Sequence, residues 1–251
     1  MSADAAGGPD QGPIVSLTAG EGPPLLLLHG LAASARWWEL VLPALSAGHR
    51  VLAVDLPAFG ASGHGVRFHL DRVPGQLIEL MDELGLGRAS IIGHSMGGLI
   101  AARMAVDHPG RVDRLVLVDA GFLRLDPSWL HKVTGPIRAV RFTRPPLARL
   151  LMDDLLRVGV VRLADATLQL LRTDWADILP RIVVPTLVVW GGGDTICPPV
   201  IGQAIAARVP DARRVVIPDS GHNPMWERPD EFAAAVLPFL DEARAAAILE
   251  P

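Results

Sequence analysis

Three side chains in this sequence have the types and the setting for nucleophilic acyl chemistry: Ser95, Asp194 and His222. Ser95 lies in Gly93-His94-Ser95-Met96-Gly97, directly after the apolar run Ala89-Ser90-Ile91-Ile92 and before Gly98-Leu99-Ile100-Ala101-Ala102. This is Gly-x-Ser-x-Gly between a strand and a helix, where a sharp turn lifts the hydroxyl clear of a sheet edge. The bare pattern is weak in a glycine-rich chain, and its strand-turn-helix setting makes it strong. A serine hydroxyl needs a base to take its proton and a third group to hold that base. His222, in Asp219-Ser220-Gly221-His222-Asn223-Pro224, follows the last expected strand and precedes a final helix, Pro229 to Ala247. Asp194 ends the preceding strand behind Gly191-Gly192-Gly193. Asp119 also ends a strand and rivals it, because either strand could orient the imidazole.

Acyl transfer also needs donors for the charge that develops on the carbonyl oxygen. The backbone N–H of Leu31, after His29-Gly30, and that of Met96 are the candidates. Gly30, Trp37, Trp38, His94 and Met225 are expected to bound the substrate pocket. His29 reads as a structural hydrogen-bonding group beneath the Gly30-Leu31 loop, Asp55 as a turn-stabilising carboxylate and Cys197 as a small buried apolar residue.

Short apolar runs position these groups. Leu25–Leu28, Val51–Val54, Ile91-Ile92, Leu115–Val118, Thr186–Trp190 and Arg214–Ile217 show no sustained alternation, as expected for strands covered on both faces in a parallel sheet. Ligands bind beyond the carboxyl ends of such strands, where the polar and glycine-rich residues fall here. Between Phe122 and about Ile178 the strand–helix rhythm breaks. Leu147, Leu150, Leu151, Leu155 and Leu156, then Leu163, Leu168, Leu170 and Leu171, recur at amphipathic-helix spacing. This insertion is expected to cap the crevice, and Thr143 to Pro146, with two prolines, to separate two of its helices.

The chain has 251 residues, half of them apolar, enough for one large domain over 14–251. Residues 1–13, polar and rich in Gly and Pro, read as a disordered tail rather than a secretory signal. A net charge of −4 gives no reason to expect nucleic acid or an anionic membrane as partner. A single cysteine excludes an internal disulfide, and no apolar stretch near the elbow is long enough to span a bilayer. The chain therefore reads as soluble and cytoplasmic. No metal-ligand spacing or phosphate loop is present, so neither metal nor cofactor is expected.

Leu28-His29-Gly30, the run Asp55 to Ser62, Gly93 to Gly98, Trp190 to Asp194 and Gly221-His222 together resemble a serine hydrolase of the α/β-hydrolase fold, over about Gly22 to Leu240. The resemblance implies a mostly parallel central sheet with helices on both faces and a helical cap. The order serine, acid, histidine matches that family. Ala58 stands where the family usually has Gly, and the short segment before Leu25 implies that one antiparallel edge strand is reduced or missing. The implied activity is hydrolysis of small to medium apolar acyl or aryl esters by a Ser-His-Asp acyl-enzyme route. Perhydrolases and acyltransferases share this constellation. One alternative is hydrolysis of carbon–carbon bonds in vinylogous diketo acids. It is motivated by eight arginines and one lysine against six aspartates in the insertion. The other is a low-turnover ligand receptor or scaffold of the same fold.

Overall fold

The computed structural model describes residues 12–62, 66–122, 139, 142, 143 and 145–249, with side chains through residue 242. The expected tail lies outside the described residues except for positions 12 and 13. So does much of the expected cap, including Arg124, Asp126, Lys132, Arg138, Arg141 and Arg144.

Seven strands form one sheet in the order β1-β3-β2-β4-β5-β6-β7. They are β1 (Ile14–Ala19), β2 (Pro24–Leu28), β3 (Arg50–Asp55), β4 (Ala89–His94), β5 (Val112–Val118), β6 (Thr186–Gly191) and β7 (Arg213–Ile217). Every neighbouring pair is parallel except β1 with β3. The short segment before Leu25 thus supplies one antiparallel edge strand, and nothing pairs beyond it among the described residues. Strand residues alternate between faces, so a strand buried on both sides must be apolar at every position. In β2, Leu26 and Leu28 join one core and Leu25 and Leu27 the other. Helices α2 (Val73–Glu83) and α3 (Met96–Asp107) cover the first face. The other is covered by α1 (Leu42–Ser46) and α8 (Pro229–Leu249), through Leu45, Phe232 and Val236.

Between β5 and β6 the described insertion residues form α4 (Pro145–Val158) and α5 (Val160–Arg172). Pro145 and Pro146 open α4, and Thr143 stands in non-helical backbone between it and the helical residue Ala139. Gly159, at φ 75°, makes the break between the leucine-bearing helices, a backbone geometry that glycine adopts without steric cost. Two polar clasps dock the pair. Gln169 of α5 accepts from the Leu70 N–H at 3.0 Å and donates to the Phe68 carbonyl at 2.9 Å. Asp154 of α4, 2% exposed, accepts from Ser34 Oγ at 3.0 Å and Trp37 Nε1 at 2.8 Å. Ala58, the departure from the family's glycine, sits at φ 70° and so carries the left-handed strain that glycine would not. Helices α6 (Pro199–Ala206), which follows the acid loop, and α7 (Pro224–Glu227), which follows the His222 loop, complete the fold.

Candidate active site

The elbow forms because two glycines let backbone meet backbone. A Cβ on Gly93 would lie 2.4 Å from the Gly97 carbonyl oxygen, and one on Gly97 would lie 2.4 Å from that of Leu28. Between them Ser95 adopts φ 52°, ψ −116°, a conformation that costs a non-glycine residue free energy of order 1–3 kcal/mol. The surrounding sheet and α3 hold it there, with the Ser95 N–H donating to Val118 of β5 at 2.9 Å. Met96 opens α3, so its N–H belongs to the first turn, where no preceding helical carbonyl can take it.

His222 and Asp194 meet Ser95 across this turn. The imidazole Nε2 lies 3.1 Å from Ser95 Oγ, and Nδ1 lies 2.8 Å from Asp194 Oδ2. A carboxylate can only accept, so Nδ1 carries the proton and Nε2 is left to accept from the serine hydroxyl. Asp194 Oδ1 accepts from the Ile196 and Cys197 N–H groups at 2.8 and 3.1 Å. The acid and histidine loops touch through Gly191, where a Cβ would fall 1.8 Å from the Gly221 carbonyl oxygen.

Further groups hold the frame. Glu227 accepts from Ser220 Oγ at 2.9 Å and from the Gly221 N–H, anchoring the turn before His222. Burial pushes its carboxyl up from the ordinary range, against those hydrogen bonds. His94 donates from Nε2 to the His222 carbonyl at 2.7 Å. Burial first, and then the neighbouring His222 charge, hold its pKa well below the usual histidine value, so it serves as a neutral donor. His29 donates from Nδ1 to the Gly30 carbonyl at 2.7 Å and accepts the Leu56 N–H at 3.0 Å. Burial lowers its pKa also. Asp55 accepts from Ser16 Oγ and from the N–H groups of Ala35 and Ala61, all within 2.7 Å.

Ser95 and His222 open into a cavity of about 490 Å³. Leu31, Trp37, Leu151, Leu170, Leu171 and Ile196 supply its apolar wall, while Thr143, Thr167 and Asn223 supply polar points. No lysine or arginine stands among the described lining residues. Of the residues expected at the pocket, Gly30, Trp37 and His94 line it, as does Leu31, expected as an oxyanion donor, but Trp38 and Met225 do not. Both are fully buried in the core beneath the sheet, where Trp38 packs against Phe232 with ring centroids 6.4 Å apart. Trp37 and Trp38 are consecutive in a 3₁₀ turn, whose successive side chains diverge by about 120°, so only one can face the cavity. Met225 follows His222 in sequence, but α7 directs its side chain inward.

Sequence reasoning missed Asp154 and Asn223. Asp154 was legible as an acidic residue on the apolar stripe Leu147, Leu150, Val158 of α4. Cys197 is buried, as expected, yet it also lines the cavity. Asp194, Cys197 and His222 are the one close set of three potential metal ligands among the described residues, with donor atoms within 4.8 Å of one another. The Asp194–His222 hydrogen bond already engages two of those donors. No helix among the described residues is long and apolar enough to cross a membrane.

Residues 25–235 match the model of the Alpha/beta hydrolase family. The chain is 30% identical over 247 residues to a 2-hydroxy-6-oxononadienedioate/2-hydroxy-6-oxononatrienedioate hydrolase of Pseudomonas sp., covering 86% of this chain and 87% of that one. It is 31% identical over 243 residues to the dihydrolipoyllysine-residue acetyltransferase component of the acetoin cleaving system of Pseudomonas putida. That match takes in 87% of this chain but only 64% of the longer relative. Among solved structures, a thermophilic esterase from Thermogutta terrifontis, with malate bound, superposes with a TM-score of 0.77 at 29% identity, covering 90% of this chain and 92% of that one.

Proposed function

Since the chain belongs to the Alpha/beta hydrolase family, we propose that it hydrolyses carboxylic esters of small to medium apolar acyl or aryl groups. Ser95 is the nucleophile, His222 the general base and then acid, and Asp194 the carboxylate that orients it. The observation that carries this reading is the hydrogen-bonded line Ser95–His222–Asp194 at the floor of an apolar cavity. As Ser95 Oγ attacks the ester carbonyl, Nε2 of His222 takes its proton. The oxyanion falls to the N–H groups of Leu31 and Met96, and losing one such donor typically costs about 3 kcal/mol. His222 then protonates the leaving alkoxide, and the alcohol departs. Water attacks the acyl-enzyme with His222 again as base, which frees the acid and restores Ser95. Helices α4 and α5 act as the cap that excludes water and measures the acyl group.

The relative named for dienedioate cleavage favours a second reading, carbon–carbon hydrolysis of vinylogous diketo acids. The described wall of the cavity is mainly apolar, which suits an apolar acyl or aryl ester, so ester hydrolysis stands first. The test is a fluorophosphonate probe on Ser95, followed by p-nitrophenyl esters of rising acyl length beside a diketo acid. Expected are labelling that Ser95→Ala abolishes and turnover of the esters above that of the diketo acid. Absence of labelling would place the chain among the receptors or scaffolds of the fold. Faster diketo-acid turnover would select the second reading.

A further inference from the structure

Asp119 ends β5 beside Asp194, which follows β6, and it is wholly buried. Its backbone stands at φ 42° and its N–H donates to the Val189 carbonyl at 3.1 Å, which turns the carboxyl toward the acid loop. One oxygen, Oδ1, accepts the Gly191 N–H at 3.0 Å. The other, Oδ2, meets no donor among the described residues. Asp119 and Asp194 are tied to the same residue, Gly191, whose N–H donates to Asp119 and whose carbonyl accepts the Asp194 N–H at 3.1 Å. The Asp194 carboxyl is the charged group that acts most strongly on Asp119. Two buried carboxylates cannot stand side by side without a proton between them.

We propose that Asp119 is a protonated carboxylic acid that donates from Oδ2 to the Asp194 carboxylate, and so acts as a positioning residue for the Asp194–His222 pair. The proton belongs on Asp119 for a structural reason. Asp194 already accepts from His222 Nδ1 and from the N–H groups of Ile196 and Cys197, which favour its charged form. Asp119 has one backbone donor and lies in full burial, so ionising it is the costlier choice. A hydroxyl from Asp119 would give the Asp194 carboxylate a fourth donor, matching its roughly four lone-pair sites. Burial first, and then the charge of Asp194, accordingly hold the Asp119 carboxyl well above the ordinary range, with Glu227 of α7 adding to the effect. Asp119 therefore does not compete with Asp194 for the histidine. It fixes the carboxylate that does.

This inference rests on the reading of Asp194 as the orienter of His222, and its test is separable from that reading. Asp119→Asn keeps a neutral donor at the same place and is expected to retain the wild-type kcat/KM. Asp119→Ala removes the donor, frees Asp194 to rotate, and is expected to lower kcat by about a hundredfold with little change in KM. The titratable groups that act on Asp119 are Asp194 from the β6 loop and Glu227 from α7. Raising the pH until Asp119 ionises sets two carboxylates against each other, so wild-type activity should decline on the alkaline side and that of Asp119→Asn should not. Stability gives an independent reading on the asparagine variant alone. A carboxyl whose folded pKa is raised contributes stability at acid pH that is lost as the pH rises toward that pKa. The Tm of Asp119→Asn relative to wild type should therefore climb from pH 4 to pH 8. Crippled activity in a folded Asp119→Asn protein, or a flat Tm difference, would overturn the proposal, as would full activity in Asp119→Ala. Harmless Asp194→Asn would instead remove the reading on which it rests.

Discussion

Replacing Asp194 by asparagine changes one atom and reverses a proton. The carboxylate now accepts at Oδ1 from two backbone N–H groups and at Oδ2 from His222 Nδ1–H. A carboxamide has a single accepting oxygen, and the two fixed N–H groups of Ile196 and Cys197 claim it. The amide NH₂ must then face His222, whose Nδ1 can meet it only by giving up its own proton. The imidazole is driven to the Nε2–H tautomer, and Nε2 can no longer take the Ser95 proton. Loss of the useful tautomer in such a triad costs on the order of ten-thousandfold in kcat, or about 5.5 kcal/mol at ~1.36 kcal/mol per factor of ten. Because the side chains are nearly isosteric, Tm should move little. The assay is steady-state hydrolysis of a p-nitrophenyl ester by purified Asp194→Asn protein, with folding checked by thermal melting. A folded variant retaining a tenth or more of wild-type kcat would refute the argument, because it would mean that the carboxylate does not set the tautomer.

Other consequences follow from the helices over Ser95. Leu151→Ala enlarges the apolar wall, and a methylene gained or lost in such a pocket is worth about 1–3 kcal/mol. Preference among acyl lengths should shift by tens of fold while acetate esters react nearly as before; an equal loss on every ester would mark α4 as a structural prop. Asp154→Ala leaves Trp37 Nε1 and Ser34 Oγ buried without their acceptor, at a cost of roughly 2–4 kcal/mol. Tm should drop and KM for long acyl esters should rise more than kcat falls, and an unchanged melt would show that the clasp holds nothing.

What was legible in the sequence is local. The inner strands announced themselves because burial on both faces favours apolar residues at most positions, and the elbow because Gly93 answers to backbone four residues away, although Gly97 meets the Leu28 carbonyl of a neighbouring strand. Ser95, Asp194 and His222 could be picked out for the same reason: each ends a strand or sits in the turn beyond it, where side chains project from a fixed frame. The same rule named Asp119 but could not separate its task from that of Asp194. Both end neighbouring strands, and only the hydrogen bonds made by Ile196, Cys197 and Gly191 distinguish a charged acceptor from a neutral donor.

The cavity wall obeys a different physics. Its shape depends on how α4 and α5 settle over the strand ends, and that depends on contacts between residues 99 to 120 positions apart, from Gln169 to Leu70 and from Asp154 to Ser34 and Trp37. A periodicity rule sees an amphipathic helix and assigns its leucines to a buried face, without saying what lies opposite. Trp37 and Trp38 show the consequence, since a one-residue difference in a tight turn sends one indole to the cavity and the other to the core. Asp154 shows the converse. A carboxyl placed on an apolar stripe is costly unless something meets it, so its presence there already required a donor on the facing surface. The indole N–H of Trp37 is that donor, and through it the helix that closes the cavity also fixes an aromatic ring of its wall. The docking of α4 and the shape of the cavity are therefore linked through Trp37, and a substitution that loosens the first should blur the second.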